Sequence, residues 1–160
     1  MAEQKTNVMR LLTQKKIRYT PHEYAHGDEA VDGVTAAELI GVPAEKVFKT
    51  LVTRGASKSI YVFVIPVAGE LELKKAAKAV GEKSIAMIHV SELLGLTGYV
   101  RGGCSPVGMK KQYPTVIHRS AEELESMVVS AGKIGFQVEL APEELIKLTR
   151  GKYADVVAED

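Results

Sequence analysis

The sequence predicts an α+β fold with a mixed β-sheet, and three observations lead there. First, Val47–Thr53 and Ser59–Val67 are dense in apolar residues on both faces and are joined by a loop containing Gly55. That pattern reads as a hairpin in the central part of a sheet. Second, the helical segments are short, and Gly41, Gly81 and Gly151 supply stop signals. Third, five or six strand signals and four or five short helix signals follow in irregular order. A regular βαβ alternation is absent, so α+β is favoured over a doubly wound sheet.

Each element has its own local reason. Val8, Leu11 and Leu12 share a helical face, and Thr6 or Asn7 can cap the first turn. Ile17–Tyr24 reads as extended, with Pro21 marking an edge or an interruption. Residues 25–33 are polar, contain Gly27 and Gly33, and predict a loop. Thr35 and Glu38 have capping-box spacing for a short helix that Gly41 and Pro43 end, and Pro43–Lys46 predicts a further helical turn. Glu70–Val80 is amphipathic, with Ala76, Ala77 and Val80 on its small apolar side. A weak strand at Ser84–Ile88 precedes a short helix capped by Ser91 and reaching about Leu94. Further on, Thr115–His118 reads as a strand and Ser120–Glu123 as another capping box. Met127–Val129 and Phe136–Leu140 read as strands around a Gly132/Gly135 turn. Pro142 opens a last helix through about Leu148.

Composition excludes several classes. The 160 residues suit one domain with a real core, spanning residues 1–160. Lys and Arg number 21 against 20 Asp and Glu, a net charge of +1, so any polyanion has to be met by local patches. One cysteine, Cys104, excludes an internal disulfide framework and a thiolate zinc site. The N-terminus lacks the apolar stretch of a signal peptide, and no apolar run approaches membrane-spanning length. A cytoplasmic protein that does not engage membranes is expected.

Lys49 and the stretch Gly98–Gly108 carry the chemical interest. By strand alternation Val47, Lys49 and Leu51 share one face, with Phe48, Thr50 and Val52 on the other. An ammonium group there needs water or an anion at its tip. Lys49 either guards an exposed strand edge or sits at a pocket mouth, meeting a phosphate or a developing oxyanion. Gly102, Gly103, Pro106 and Gly108 make a loop whose backbone amides can approach an oxygen closely. It is neither a P-loop nor a dinucleotide fingerprint. Cys104 within it has no nucleophile signature, and a small, partly buried thiol without a role is the commoner reading. His22, His26, His89 and His118 show no metal-binding spacing, Pro21 arguing against a shared helical face for the first two. No metal is expected. Lys74, Lys75 and Lys78 form one basic cluster, and Arg101, Lys110 and Lys111 another. Such clusters are usually solvated faces, though beside a pocket they can touch a phosphate backbone.

Taken together, these segments resemble the YbaK/EbsC family of aminoacyl-tRNA deacylases, related to the editing domain of bacterial prolyl-tRNA synthetases. The matching pieces are His22–Tyr24, Ala36–Gly41, Val47–Leu51, Leu73–Lys78, Gly98–Gly108 and Val129–Gly135, in order from about residue 7 to 157. The resemblance implies a compact, barrel-like mixed sheet surrounded by short helices. It also implies hydrolysis of the ester between a mischarged amino acid and the 3′ end of tRNA, with Cys-tRNA(Pro) the foremost substrate and no cofactor. Prolyl-tRNA synthetase is the implied partner. Lys49 matches the family's central residue, which would hold the terminal phosphate and orient the ester. Gly102 and Gly103 are the other catalytic candidates, from the glycine loop that also holds Pro106. Tyr24, Thr50, Pro106, Ser130 and Gly132 match substrate-binding positions. With no base–nucleophile pair evident, the implied reaction is attack by the substrate's own thiol, with oxyanion stabilisation by backbone amides. Departures at Ala30–Gly33 and at Gln137 put the amino-acid preference in question more than the reaction. Alternatives are a deacylase for Ala- or another small-amino-acid tRNA using bound water, and a non-catalytic module that binds a nucleotide or tRNA end.

Overall fold

A computed structural model describes residues 5–24 and 31–159. In chain order the helices are α1 (Asn7–Gln14), α2 (Gly33–Ile40), α3 (Leu73–Val80), α4 (Val90–Thr97) and α5 (Pro142–Thr149). The strands are β1 (Thr20–Glu23), β2 (Phe48–Gly55), β3 (Ile60–Pro66), β4 (Ile85–Met87), β5 (Thr115–His118), β6 (Met127–Lys133), β7 (Phe136–Leu140) and β8 (Lys152–Ala154). Single 3-10 turns lie at Ala44–Lys46 and Arg119–Glu123. The expected loop at 25–33 falls partly outside the described residues, as does His26.

The predicted hairpin holds the middle of a five-stranded mixed sheet of order β4-β2-β3-β5-β8. Strand β3 runs antiparallel to β2 and parallel to β5, and β5 runs parallel to β8. A second, antiparallel sheet has order β1-β7-β6, with Pro21 on its edge strand, where a missing N–H does least harm. The barrel-like closure does not occur. Among the described residues the sheets meet at a single parallel bridge, Val47 with Val128.

Alternation along β2 sorts its side chains between cores. Phe48 and Val52 join the main core with Val8 and Leu12 of α1, Val129 and Val138 of the second sheet, and Leu145 of α5. Leu51 packs instead against Phe63, Ile65 and Ala76 beneath α3. Val47 and Val128 sit at the seam with Ala37 and Val67. Each fully buried Val or Leu stabilises the fold by roughly 1.5–3 kcal/mol, so the seam is held mainly by apolar burial.

Several local expectations need correcting. Asp32, not Thr35, caps α2: its carboxylate accepts the Thr35 N–H at 2.8 Å, with Thr35 already the third helical residue. Helix α4 begins at Val90, before Ser91, and Glu92 reaches back to the His89 N–H at 3.0 Å. Ser120 caps nothing, its hydroxyl being buried without a partner among the described residues. Arg150, at φ 54, ends α5 one residue before Gly151. Strand β8 was not anticipated, since three residues carry no periodic signal and pairing to β5 defines them.

Glu139 of β7 gathers four segments around one carboxylate. Ser126 donates to it at 2.5 Å and Lys46 at 3.0 Å, while His22 Nε2 lies 2.8 Å away. Burial works against the charge, but the bonds from Ser126, His22 and Lys46 outweigh it and hold its pKa at about 2, below the ordinary 4.5. A lowered carboxylate pKa contributes stability above the ordinary value and loses it as pH falls through the folded one. The urea midpoint of Glu139→Gln should therefore lie below wild type at neutral pH. The gap should narrow between pH 4.5 and about pH 2; a constant gap would disprove the ionic contribution.

Candidate active site

The cleft of interest opens where the two sheets part. Strand β2 pairs with β4 only at Thr53–Gly55, which leaves the same edge of its first half without a strand neighbour. Strand β6 has β7 on one side, and on the other its Val128 meets Val47, the residue before β2. Beyond that pair the ladder stops. Phe48, Lys49 and Thr50 border the resulting cleft with Ser130 and its cross-strand partner Gln137. Tyr24, whose N–H donates to Gly135 O at 3.0 Å as β1 ends, adds a buried wall. Val31, Gly33 and Ala36 close the α2 side, where Gly33 is needed: a Cβ there would stand 2.4 Å from Val67 Cγ1.

The glycine loop closes the cleft from above by backbone contact. Gly103 donates to Val100 O at 3.0 Å, making a β-turn with Gly102 at φ 86, the positive φ that the third residue of a type II turn requires. A Cβ on Gly103 would lie 3.0 Å from the Ile134 N, so glycine lets this loop sit on the β6–β7 turn. Gly102 and Cys104 line the cleft, and neither N–H has an acceptor among the described residues. The Gly103 N–H is already engaged, as is that of Gly132, which donates to Ser130 Oγ at 3.1 Å. Since Ser130 Oγ accepts that bond, its own proton can donate elsewhere.

Five of the eight sequence-derived positions thus border one cavity: Tyr24, Lys49, Thr50, Gly102 and Ser130. Gly103 and Gly132 shape the walls, the latter at φ 91 with a would-be Cβ 2.8 Å from Tyr99 Cε1. Pro106 lies in a separate depression with Gly108 and Met109. Gln137, Phe48 and Cys104 border the cleft without having been chosen as site residues. Strand pairing places Phe48 and Gln137 there, and the glycine loop places Cys104. The lysine cluster on α3 is elsewhere, with Lys75 bound to Asp155 at 3.1 Å and to Val157 O at 3.0 Å.

Three features give the cavity its chemistry. Lys49 has no ion-pair or hydrogen-bond partner among the described residues. The buried Thr50 Oγ1 and Gln137 Oε1 also lack hydrogen-bond partners among the described residues. Buried polar atoms are normally satisfied, so two orphans in one cleft point to groups that a ligand supplies. The volume, about 120 Å³, equals roughly four waters at about 30 Å³ each, which suits a small side chain.

Cys104 is a poor nucleophile in this setting. It is 8% exposed, and burial pushes its pKa up to about 12 against a partial offset from Thr97. At pH 8 roughly one thiol in ten thousand is then ionised, against about a quarter for a free cysteine. Iodoacetamide should label Cys104 about a thousandfold more slowly in the folded protein than in urea, as read by mass spectrometry. Comparable rates would contradict this environment.

Residues 28–148 match the aminoacyl-tRNA editing domain family. Over 158 residues, 99% of this chain and 96% of the relative, the sequence is 45% identical to EbsC of Enterococcus faecalis, which carries the name of a Cys-tRNA(Pro)/Cys-tRNA(Cys) deacylase. A 106-residue stretch, 64% of this chain, is 26% identical to 18% of a proline–tRNA ligase from Burkholderia thailandensis. The fold superposes with TM-score 0.82 on a solved structure described as a trans-editing enzyme for prolyl-tRNA synthetase, at 22% identity, covering 98% of this chain and 100% of that one. The chain belongs to the aminoacyl-tRNA editing domain family.

Proposed function

We propose that this chain is an aminoacyl-tRNA deacylase that acts in trans, as one editing domain over residues 1–160, with Cys-tRNA(Pro) as its foremost substrate. The observation that carries the reading is the pairing of Lys49 with orphaned polar atoms in a small cleft that offers no ionised nucleophile. The family and the name of the EbsC relative support the ester substrate. A pocket shaped for proline cannot strongly exclude cysteine, so a second sieve is useful.

The reaction needs geometry more than a protein nucleophile. The substrate's thiol sulfur attacks its own carbonyl carbon, forming a C–S bond. The bond from that carbon to the ribose oxygen breaks, and the thiol proton ends on that oxygen. Products are tRNA with a free terminal hydroxyl and a four-membered thiolactone, which water then opens to cysteine. Lys49 holds the terminal phosphate and orients the ester. The N–H groups of Gly102 and Cys104 are the donors for the developing oxyanion, because those of Gly103 and Gly132 are already bonded. The Ser130 hydroxyl and Tyr24 shape the wall against which the side chain folds. Holding thiol and carbonyl at attack distance replaces a general base as the main source of rate.

The chemistry requires no metal or cofactor. Among the described residues, no group of three or more His, Cys, Asp or Glu side chains is arranged to hold a metal ion, and no helix is long and apolar enough to cross a membrane. A cytoplasmic setting beside prolyl-tRNA synthetase, which would select the tRNA, fits a chain whose net charge of +1 gives little field for reading a tRNA body.

Incubation with Cys-, Ala- and Pro-tRNA(Pro) tests this reading. Cys-tRNA(Pro) should be cleared fastest. Lys49→Ala should lower that rate by about 10²–10³-fold or more, and Cys104→Ala should leave it near wild type. Equal clearance of Ala-tRNA(Pro), which has no thiol, would contradict thiol attack, and loss of activity in Cys104→Ala would restore an enzyme nucleophile.

A further inference from the structure

We propose that Gln137 is the residue that reads the α-ammonium group of the aminoacyl ester, an inference that rests on the deacylase reading of the same cleft. Gln137 is 9% exposed, borders the cleft, and holds a buried Oε1 with no hydrogen-bond partner among the described residues. Its backbone is fixed on both sides, paired with His22 on β1 and Ser130 on β6. The amide head is thus carried by the central strand of its sheet, and its orphaned atom is not the product of a loose loop.

The chemistry of that atom selects its ligand group. An amide oxygen accepts and cannot donate. The carbonyl and ester oxygens of an aminoacyl ester also only accept, so they cannot satisfy it. The α-ammonium carries three donors and no acceptor, and it is the strongest donor the substrate brings. Charge directs it the same way. Lys49, on β2, repels a second cation and attracts phosphate or a developing oxyanion, whereas Gln137, across the seam on β7, offers a neutral acceptor. The Glu139 carboxylate, two residues further along β7, is occupied by Ser126, Lys46 and His22, so it does not compete for the ammonium. Of the orphaned acceptors, the Thr50 hydroxyl lies on the Lys49 strand, whereas the Gln137 amide lies across the seam from that cation. The cleft is then polar in a defined direction, with anion-binding on the β2 wall and cation-binding on the β7 wall.

The test compares Cys-tRNA(Pro) with 3-mercaptopropionyl-tRNA(Pro), which lacks the α-ammonium yet keeps the thiol and can close the same four-membered ring. Wild type should show a KM about tenfold to a hundredfold lower for Cys-tRNA(Pro), the range expected for a hydrogen bond to a charged group. Gln137→Met should erase that preference by raising KM for Cys-tRNA(Pro) while leaving the des-amino substrate unchanged. Gln137→Glu, which retains an acceptor, should keep it. The thermal midpoint of Gln137→Met should equal or exceed that of wild type, because an unsatisfied buried oxygen is removed; a clear fall would assign the amide to the fold and overturn the proposal. So would a Gln137→Met effect that is equal on both substrates, or absent from both. Wild-type protein that clears neither substrate would refute the deacylase reading itself, a distinct outcome.

Discussion

The arrangement depends on how far β2 and β6 run together. Val47 and Val128 form one parallel bridge, and the ladder then stops. Had the pairing continued, backbone bonds would have filled the space that now holds Lys49, Thr50, Ser130 and Gln137. Apolar burial of Val47 and Val128 with Ala37 and Val67 fixes the start of the cleft. The Glu139 carboxylate fixes its flank, binding Lys46 two residues before β2 and Ser126 immediately before β6. Both strands therefore enter the seam from anchored positions. The groups beyond it are placed by packing and pairing.

The cleft is polar, and its one charged side chain among the described residues is Lys49. Its lysine has no acidic partner among the described residues, and its thiol is held protonated by burial. Gly102 and Cys104 keep backbone donors open, while neighbouring amides close the turns that hold them in place. In the proposed reaction the enzyme contributes fixed dipoles and one cation, and the substrate contributes the nucleophile. Such a division fits a small domain, because preorganised donors need no reorganisation as charge develops.

The sequence made the fold legible wherever period and punctuation agree. The β2–β3 hairpin, the Pro21 edge strand and the glycine stops after α2 and α3 could all be read from residue order. Helix starts were less legible, because Asp32 and Glu92 compete with nearby Thr35 and Ser91 for the same orphan N–H groups, and only geometry decides. Strand β8 and the open seam were hidden, since both arise from pairing between distant segments. The site divides along the same line. Lys49, Tyr24, Thr50, Gly102 and Ser130 stand out by type or motif and do line one cleft. Pro106 stands out too, yet its ring lies in another depression. The residue pattern marks Gln137 only as a departure from the family; that its amide oxygen is buried without a partner among the described residues is a property of three-dimensional surroundings.

Identification of the first product tests most directly whether the chain supplies position and the substrate supplies the nucleophile. Rapid quenching of a single turnover on Cys-tRNA(Pro), followed by mass spectrometry, separates the two routes. Cysteine thiolactone should appear before free cysteine and decay into it. Free cysteine released at the full rate of tRNA deacylation, with no thiolactone at any time point, would show that water or a protein group attacks the ester instead.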